Sequence, residues 1–251
     1  MVFAEEHKTR TGGSEASSGP VSFAQAAPKV LVLNGWAASK DAWSLCKFPC
    51  DGIFSYLDHL NGATDNAFDA AESVVLVGWS MGGSYALKLA ARAPQKVKGI
   101  VLVAATPRMM ADAGWAGMTP RRLAALEMGL RLTLGGGFFG PPEGKPNPYL
   151  ADSEENLSRG IDYLRKTDLR AELEAARDAL SSIPAYIFNS ERDGVVRKSN
   201  AEYLKSIFTN ATVEIIPGSE HALPVSIPEK LDYAVETLCR SSRQGIDAAR
   251  I

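Results

Sequence analysis

Short unbroken runs of Val, Ile and Leu recur along this chain. Each is followed by a stretch whose apolar positions fall at helical spacing. Continuous apolar runs of this length predict strands buried on both faces, and the 3.6-residue period predicts amphipathic helices. Strands are expected at Val30–Asn34, Ser73–Gly78, Val97–Ala105, Ala185–Asn189 and Thr212–Ile216, with a weaker one at Ile53–Leu57. Helices are expected at Ser39–Phe48, with Ser39 or Asp41 near the cap, and at 64–71, 81–93, 197–208 and 228–240. In the last of these Leu231, Val235 and Leu238 share one face.

Strands alternating with helices imply an α/β fold with a mostly parallel central sheet covered on both faces. Residues 107–182 break the rhythm. Helical patterns at 120–133, 152–165 and 168–180 surround a glycine- and proline-rich stretch at 135–144. An insertion of this size between two core strands reads as a helical cap over their carboxyl ends, where open α/β sheets bind ligands. The expected division is a disordered tail at 1–28, a core at 29–106 and 183–240, the cap at 107–182 and a short tail at 241–251.

Composition narrows the class. With 45% hydrophobic and 22% charged residues in 251, the chain can bury a sizeable core. A net charge of -2 gives no electrostatic reason to bind nucleic acid or a membrane surface. The first residues lack the basic start and apolar segment of a secretory signal, and three cysteines make no even disulfide framework. The expectation is a cytoplasmic monomer. Cys46 and Cys50 lie one helical turn apart without a second Cys/His pair, so packing thiols are expected and not a metal site.

Gly78-Trp79-Ser80-Met81-Gly82 joins the run at 73–78 to the helix at 81–93. Gly-x-Ser-x-Gly between strand and helix places a serine on a sharp turn at the sheet edge, and the flanking glycines clear space around it. A serine hydroxyl needs a base to attack, and the base needs an orienting carboxylate. Of three histidines, His7 falls in the tail and His59 reads as structural. His221 follows the last strand and returns to the edge that displays Ser80, which makes it the candidate base. Asp193, after the strand at 185–189, is the candidate acid, ahead of Glu191, Glu220 and Asp112. Candidate oxyanion donors are the N–H of Met81, at the start of a helix, and the N–H of Trp36 after Gly35.

At these residues the chain resembles the α/β-hydrolases, whose nucleophile, acid and base follow this chain order. More narrowly it resembles the pimeloyl-[acyl-carrier protein] methyl ester esterases of biotin synthesis. The shared stretches are Leu33–Trp36, Gly78–Gly83, Val103–Pro107 with Trp115, Asp168–Arg170, Asp193–Val196 and the His221 loop. It departs from the pattern in having Asn34 where many relatives carry His, in a short span from Asn34 to Ser80, and in lacking Asp-x-x-Gly-x-Gly around Asp58. No strand pair is apparent before residue 29.

The resemblance implies hydrolysis of a carboxylic ester through an acyl-enzyme, with no cofactor or metal. Its narrower form implies a medium-chain methyl ester carried by an acyl-carrier protein. Trp36, Trp79, Met81, Trp115, Met118, Leu126, Met128, Leu130, Phe138 and Phe139 are the apolar pocket candidates. Arg121, Arg122 and Arg131 could meet an acidic carrier, although residues 107–182 hold ten Lys/Arg against eleven Asp/Glu. A general carboxylesterase or thioesterase, another reaction on the same fold, and a binding module without turnover are the alternatives.

Overall fold

The structure, a computed structural model, describes residues 27–133 and 144–248. The six strands of its sheet are β1 (Lys29–Leu33), β2 (Gly52–Phe54), β3 (Val74–Trp79), β4 (Val97–Val103), β5 (Ala185–Ser190) and β6 (Ala211–Ile216). Their order is β2-β1-β3-β4-β5-β6, and every neighbouring pair is parallel. Among the described residues no strand precedes Lys29. The order reverses beside β1 and β3, the point where the carboxyl ends of an open sheet leave a crevice.

Period-two alternation sorts each strand onto two apolar layers. Leu31, Leu33, Leu76, Ile100 and Leu102 pack with Leu87 and Leu89 of α3 (Met81–Arg92) on one face. Val30, Val32, Val75, Val77, Val101 and Val103 face the other way, onto Leu231, Val235 and Leu238 of the last helix. Both sets are nearly inaccessible to solvent, which is why these strands read as unbroken apolar runs.

The weaker segments differ from their sequence reading. Ser39–Phe48 is not a helix: Ser39 caps a single 3-10 turn, Lys40–Trp43. The N–H groups of Lys47 and Phe48 go instead to the Asp232 carboxylate at 2.6 and 3.0 Å, a partner from the far end of the chain. The strand expected at Ile53–Leu57 ends at Phe54, and Ser55 caps α1 (Tyr56–Leu60). Ser55 Oγ accepts the Asp58 N–H while the Asp58 carboxylate accepts the Ser55 N–H, a reciprocal cap that stops the strand. Next comes α2 (Ala63–Ala70).

Between β4 and β5 stand α4 (Pro120–Thr133), α5 (Glu154–Lys166), α6 (Arg170–Ala175) and α7 (Arg177–Ser181). The single helix expected at 168–180 is thus two, and Asp168 stays outside both to bind arginines. A third apolar cluster joins these helices to the core. Leu123 and Leu126 of α4 and Leu157, Ile161 and Leu164 of α5 meet Trp36, Tyr56 and Met81 there. After β5 come α8 (Ser199–Ile207), α9 (Leu223–Ser226) and α10 (Pro228–Ala248), which runs beyond the expected end at 240. Residues 1–26, the stretch 134–143 and 249–251, with the tail and loop expectations placed on them, lie outside the described residues. Among the described residues no helix is long and apolar enough to cross a membrane.

Candidate active site

Ser80 occupies the step from β3 to α3 with φ 55° and ψ -118°, a conformation that β-carbon-bearing residues rarely adopt. The turn is possible because backbone comes very close behind it. A β-carbon on Gly82 would stand 2.1 Å from the Leu33 carbonyl oxygen, so only glycine lets α3 begin so near the end of β1. The strand runs into the turn, the turn into the helix, and the hydroxyl is left at the sheet edge.

His221 Nε2 lies 2.8 Å from Ser80 Oγ, and His221 Nδ1 lies 2.9 Å from Asp193 Oδ2. The other carboxylate oxygen, Oδ1, accepts the N–H groups of Val195 and Val196 at 2.7 and 2.9 Å. Ser80, Asp193 and His221 are all buried. The Trp79 indole donates to the His221 carbonyl at 3.0 Å, and the Arg192 N–H reaches the Ser219 carbonyl at 3.2 Å. Those two bonds tie the histidine loop to β3 and to the aspartate loop. Glu191 and Glu220 are exposed, and Asp112 is engaged by Arg170. His7 lies outside the described residues, and His59 is buried behind the site.

The loop after β1 passes directly beside the serine: a β-carbon on Gly35 would sit 3.2 Å from Ser80 Cβ. Trp36 follows, its indole donating to the Leu157 carbonyl at 3.0 Å and its ring lying against Gly160 of α5. Met81 opens α3, so its N–H points out of the first turn with no helical carbonyl behind it.

A narrow, mainly apolar pocket of about 30 Å³ opens beside Ser80 and His221. Trp36 and Trp79 line it from the core, and Met109, Leu126, Tyr149 and Leu164 line it from the insertion. The other described residues proposed for the pocket do not line it. The Met81 side chain is fully buried beneath it, and Met118 packs in the same cluster. Trp115 is drawn away: its indole donates to the Arg108 carbonyl, Tyr203 meets it edge-on at 5.2 Å, and the Arg170 guanidinium lies over it. Met128 is exposed, and Phe138, Phe139 and the side chains of Leu130 and Arg131 lie outside the described residues. Arg121 is exposed, while Arg122 donates to the Gly194 carbonyl at 2.9 Å. Met109, Tyr149, Leu164 and Val195 were missed because nothing local marks a residue that reaches a pocket from a distant segment.

Cys46, Cys50 and Cys239 are free thiols, and burial together with nearby Asp232 and Glu229 pushes Cys46 up to about 12. Among the described residues no cluster of His, Cys, Asp and Glu could hold a metal ion.

Residues 70–226 match the model of the alpha/beta hydrolase fold family. A pimeloyl-[acyl-carrier protein] methyl ester esterase of Serratia marcescens is 27% identical over 243 residues, covering 82% of this chain and 92% of that protein. One from Nitrosospira multiformis is 26% identical, with 81% and 91% covered. The fold is also that of an esterase from Exiguobacterium antarcticum, with a TM-score of 0.64 at 21% identity over 85% of this chain and 92% of the other. A match across most of the sheet, together with this parallel order and the strained serine turn, makes the chain a member of the alpha/beta hydrolase fold family.

Proposed function

We propose that the protein is a serine carboxylic-ester hydrolase that works through an acyl-enzyme. The observation that carries the reading is the continuous hydrogen-bonded line Ser80–His221–Asp193 at the mouth of an apolar pocket. His221 Nε2 takes the Ser80 proton as Oγ attacks the ester carbonyl carbon, whose π electrons move onto oxygen. The N–H groups of Trp36 and Met81 donate to that oxyanion, the second with the favourable end of the α3 dipole behind it. Collapse of the tetrahedral intermediate breaks the bond to the alkoxy oxygen, which receives the proton from His221 and departs as alcohol. Water then gives a proton to the same histidine, attacks the acyl carbon and releases the acid with Ser80 restored. Asp193 holds the imidazole in the required tautomer and offsets its transient charge.

For the substrate we propose a methyl ester of a medium-chain acyl group held by an acyl-carrier protein, the reaction named for the relatives above. The pocket beside Ser80 is mainly apolar, and exposed Arg121 with Arg122 offers positive charge to an acidic carrier. A second reading, a small-molecule carboxylesterase with no carrier, is favoured by the near-balanced charge of residues 107–182. Rates on p-nitrophenyl esters of increasing chain length, beside a carrier-linked pimeloyl methyl ester, separate the two. The carrier reading predicts a kcat/KM on the linked ester at least about 100-fold above that on the free methyl ester, because remote binding energy is then used at the reacting centre. Equal values would leave the carboxylesterase, and Ser80→Ala should abolish both.

A further inference from the structure

The carbonyl of Asn34 lies past the end of the sheet on both sides. Pairing of β1 with β2 stops at Leu33 and Phe54, and pairing with β3 stops at Leu33 and Gly78. Beyond Phe54 the chain turns into α1 at its Ser55 cap, so no strand N–H remains to meet that carbonyl. A buried carbonyl needs a donor, and His59 supplies it: its Nε2 stands 3.1 Å from the Asn34 oxygen. A carbonyl only accepts, so the proton is on Nε2. Nδ1 then takes the Thr64 hydroxyl at 2.8 Å, and the ring stacks on Tyr85 at 4.8 Å. His59 is 2% exposed, so this arrangement is fully enclosed.

The bond sits at a sensitive joint. Gly35 sits in close quarters, where a β-carbon would press on Ser80 Cβ and the Trp79 carbonyl at 3.2 and 3.3 Å. Glycine leaves the loop its loosest backbone link immediately before Trp36. Downstream, the loop is held where Ala37 accepts the Leu150 N–H and Ser39 donates to the Pro148 carbonyl, both at 2.8 Å. Upstream, the peptide plane between Asn34 and Gly35 is held through its oxygen by His59.

We infer that His59 is a positioning residue for the oxyanion loop: by donating Nε2–H to the Asn34 carbonyl, it fixes the direction in which Gly35 and Trp36 leave β1. The inference rests on the hydrolase reading for its consequence, since a rotated joint would swing the Trp36 N–H away from the developing oxyanion. The imidazole never touches substrate. Its contribution reaches the reaction only through the loop.

The test compares His59→Asn with His59→Gln. The shorter amide can satisfy Thr64 without reaching Asn34, whereas the longer one places an N–H near the site of Nε2. Full removal of an oxyanion donor costs about 10²–10³ in kcat, so a displaced donor should cost His59→Asn about tenfold. The loss should fall on kcat with KM within about twofold of wild type, as for an interaction made only in the transition state. His59→Gln should stay within about threefold. A second readout needs no turnover: with ¹⁵N-tryptophan labelling, the Trp36 backbone amide should shift or broaden in His59→Asn and keep its place in His59→Gln. A His59→Asn enzyme with wild-type kcat and an unmoved Trp36 amide would overturn the inference, as would a His59→Gln enzyme as impaired as His59→Asn. If His59→Asn does not fold, ¹⁵N-histidine labelling of the wild-type protein takes its place. The His59 ring must carry its proton on Nε2, and a ring protonated on Nδ1 would overturn the inference. Should the wild-type protein hydrolyse no ester, the hydrolase reading falls while the amide comparison still decides the contact.

Discussion

Asp193 uses its two carboxylate oxygens differently, one on His221 and one on its own turn. Asp193→Asn can keep the turn by presenting its carbonyl oxygen to Val195 and Val196, but then offers an amide N–H to the imidazole. The tautomer reverses and Nε2 loses its capacity to accept the serine proton. The expected result is a kcat lower by about 10³–10⁴ with a thermal midpoint close to wild type, read by steady-state kinetics and calorimetry. His59 illustrates the opposite use of an imidazole. Burial pushes it down to about 4, against the pull of the Asn34 carbonyl, Asp58 and Asp65 and with a small contribution from Lys88. The unfolded chain protonates this histidine near 6.5 while the fold holds it neutral, so the unfolded state binds more protons between those values. Stability is therefore full above about pH 6.5 and falls as pH drops, levelling off below about 4, for a loss of up to about 3 kcal/mol. Denaturant melts at pH 7.5 and 4.5 should show this loss, and His59→Gln should reduce it. From the sequence His59 was legible only as structural, because its partner is a backbone carbonyl 25 positions away.

At the level of elements, α3 depends on one missing side chain. Gly82→Ala puts a methyl group 2.1 Å from the Leu33 oxygen, and backbone on both sides must yield. The expected cost is about 3 kcal/mol, at the upper end for overpacking. Activity should fall with it, because the same shift moves Ser80 and the Met81 N–H; urea melts and turnover on one ester check both. The core strands were legible because two apolar faces leave no polar position to blur the run. Ser39–Phe48 was not, since its end is held by Asp232 from α10 and not by its own periodicity. The strand at Ile53–Leu57 was cut short by a capping pair, Ser55 and Asp58, that was visible in the sequence and passed over. The helix expected at 168–180 starts only at Arg170, because Asp168 is committed to Arg170 and Arg108, which hold its carboxyl well below the usual range.

Across the whole molecule, the candidate nucleophile, base and acid arrive from three crossovers that end at one sheet edge, and a parallel sheet places such ends together. The Gly-x-Ser-x-Gly turn, the placement of the other two after strands at the same edge and their order along the chain made these candidates readable from the sequence. The pocket was not, because its wall joins core residues to Met109, Leu126, Tyr149 and Leu164 from a segment whose docking follows no local rule. Bonds to core loops fasten that segment: Pro148 and Leu150 bond the loop after β1, the Trp36 indole donates to the Leu157 carbonyl, and Arg122 donates to the Gly194 carbonyl. Arg108, Asp112, Asp168 and Arg170 tie the segment's own start to the beginning of α6. The central claim is that this assembly makes one hydroxyl, that of Ser80, a nucleophile. It is tested most directly by intact and peptide mass analysis after treatment with a fluorophosphonate. The account predicts one adduct per chain, located on Ser80 and lost in both Ser80→Ala and His221→Ala. An unmodified wild-type chain, or an adduct that persists in Ser80→Ala, would contradict it.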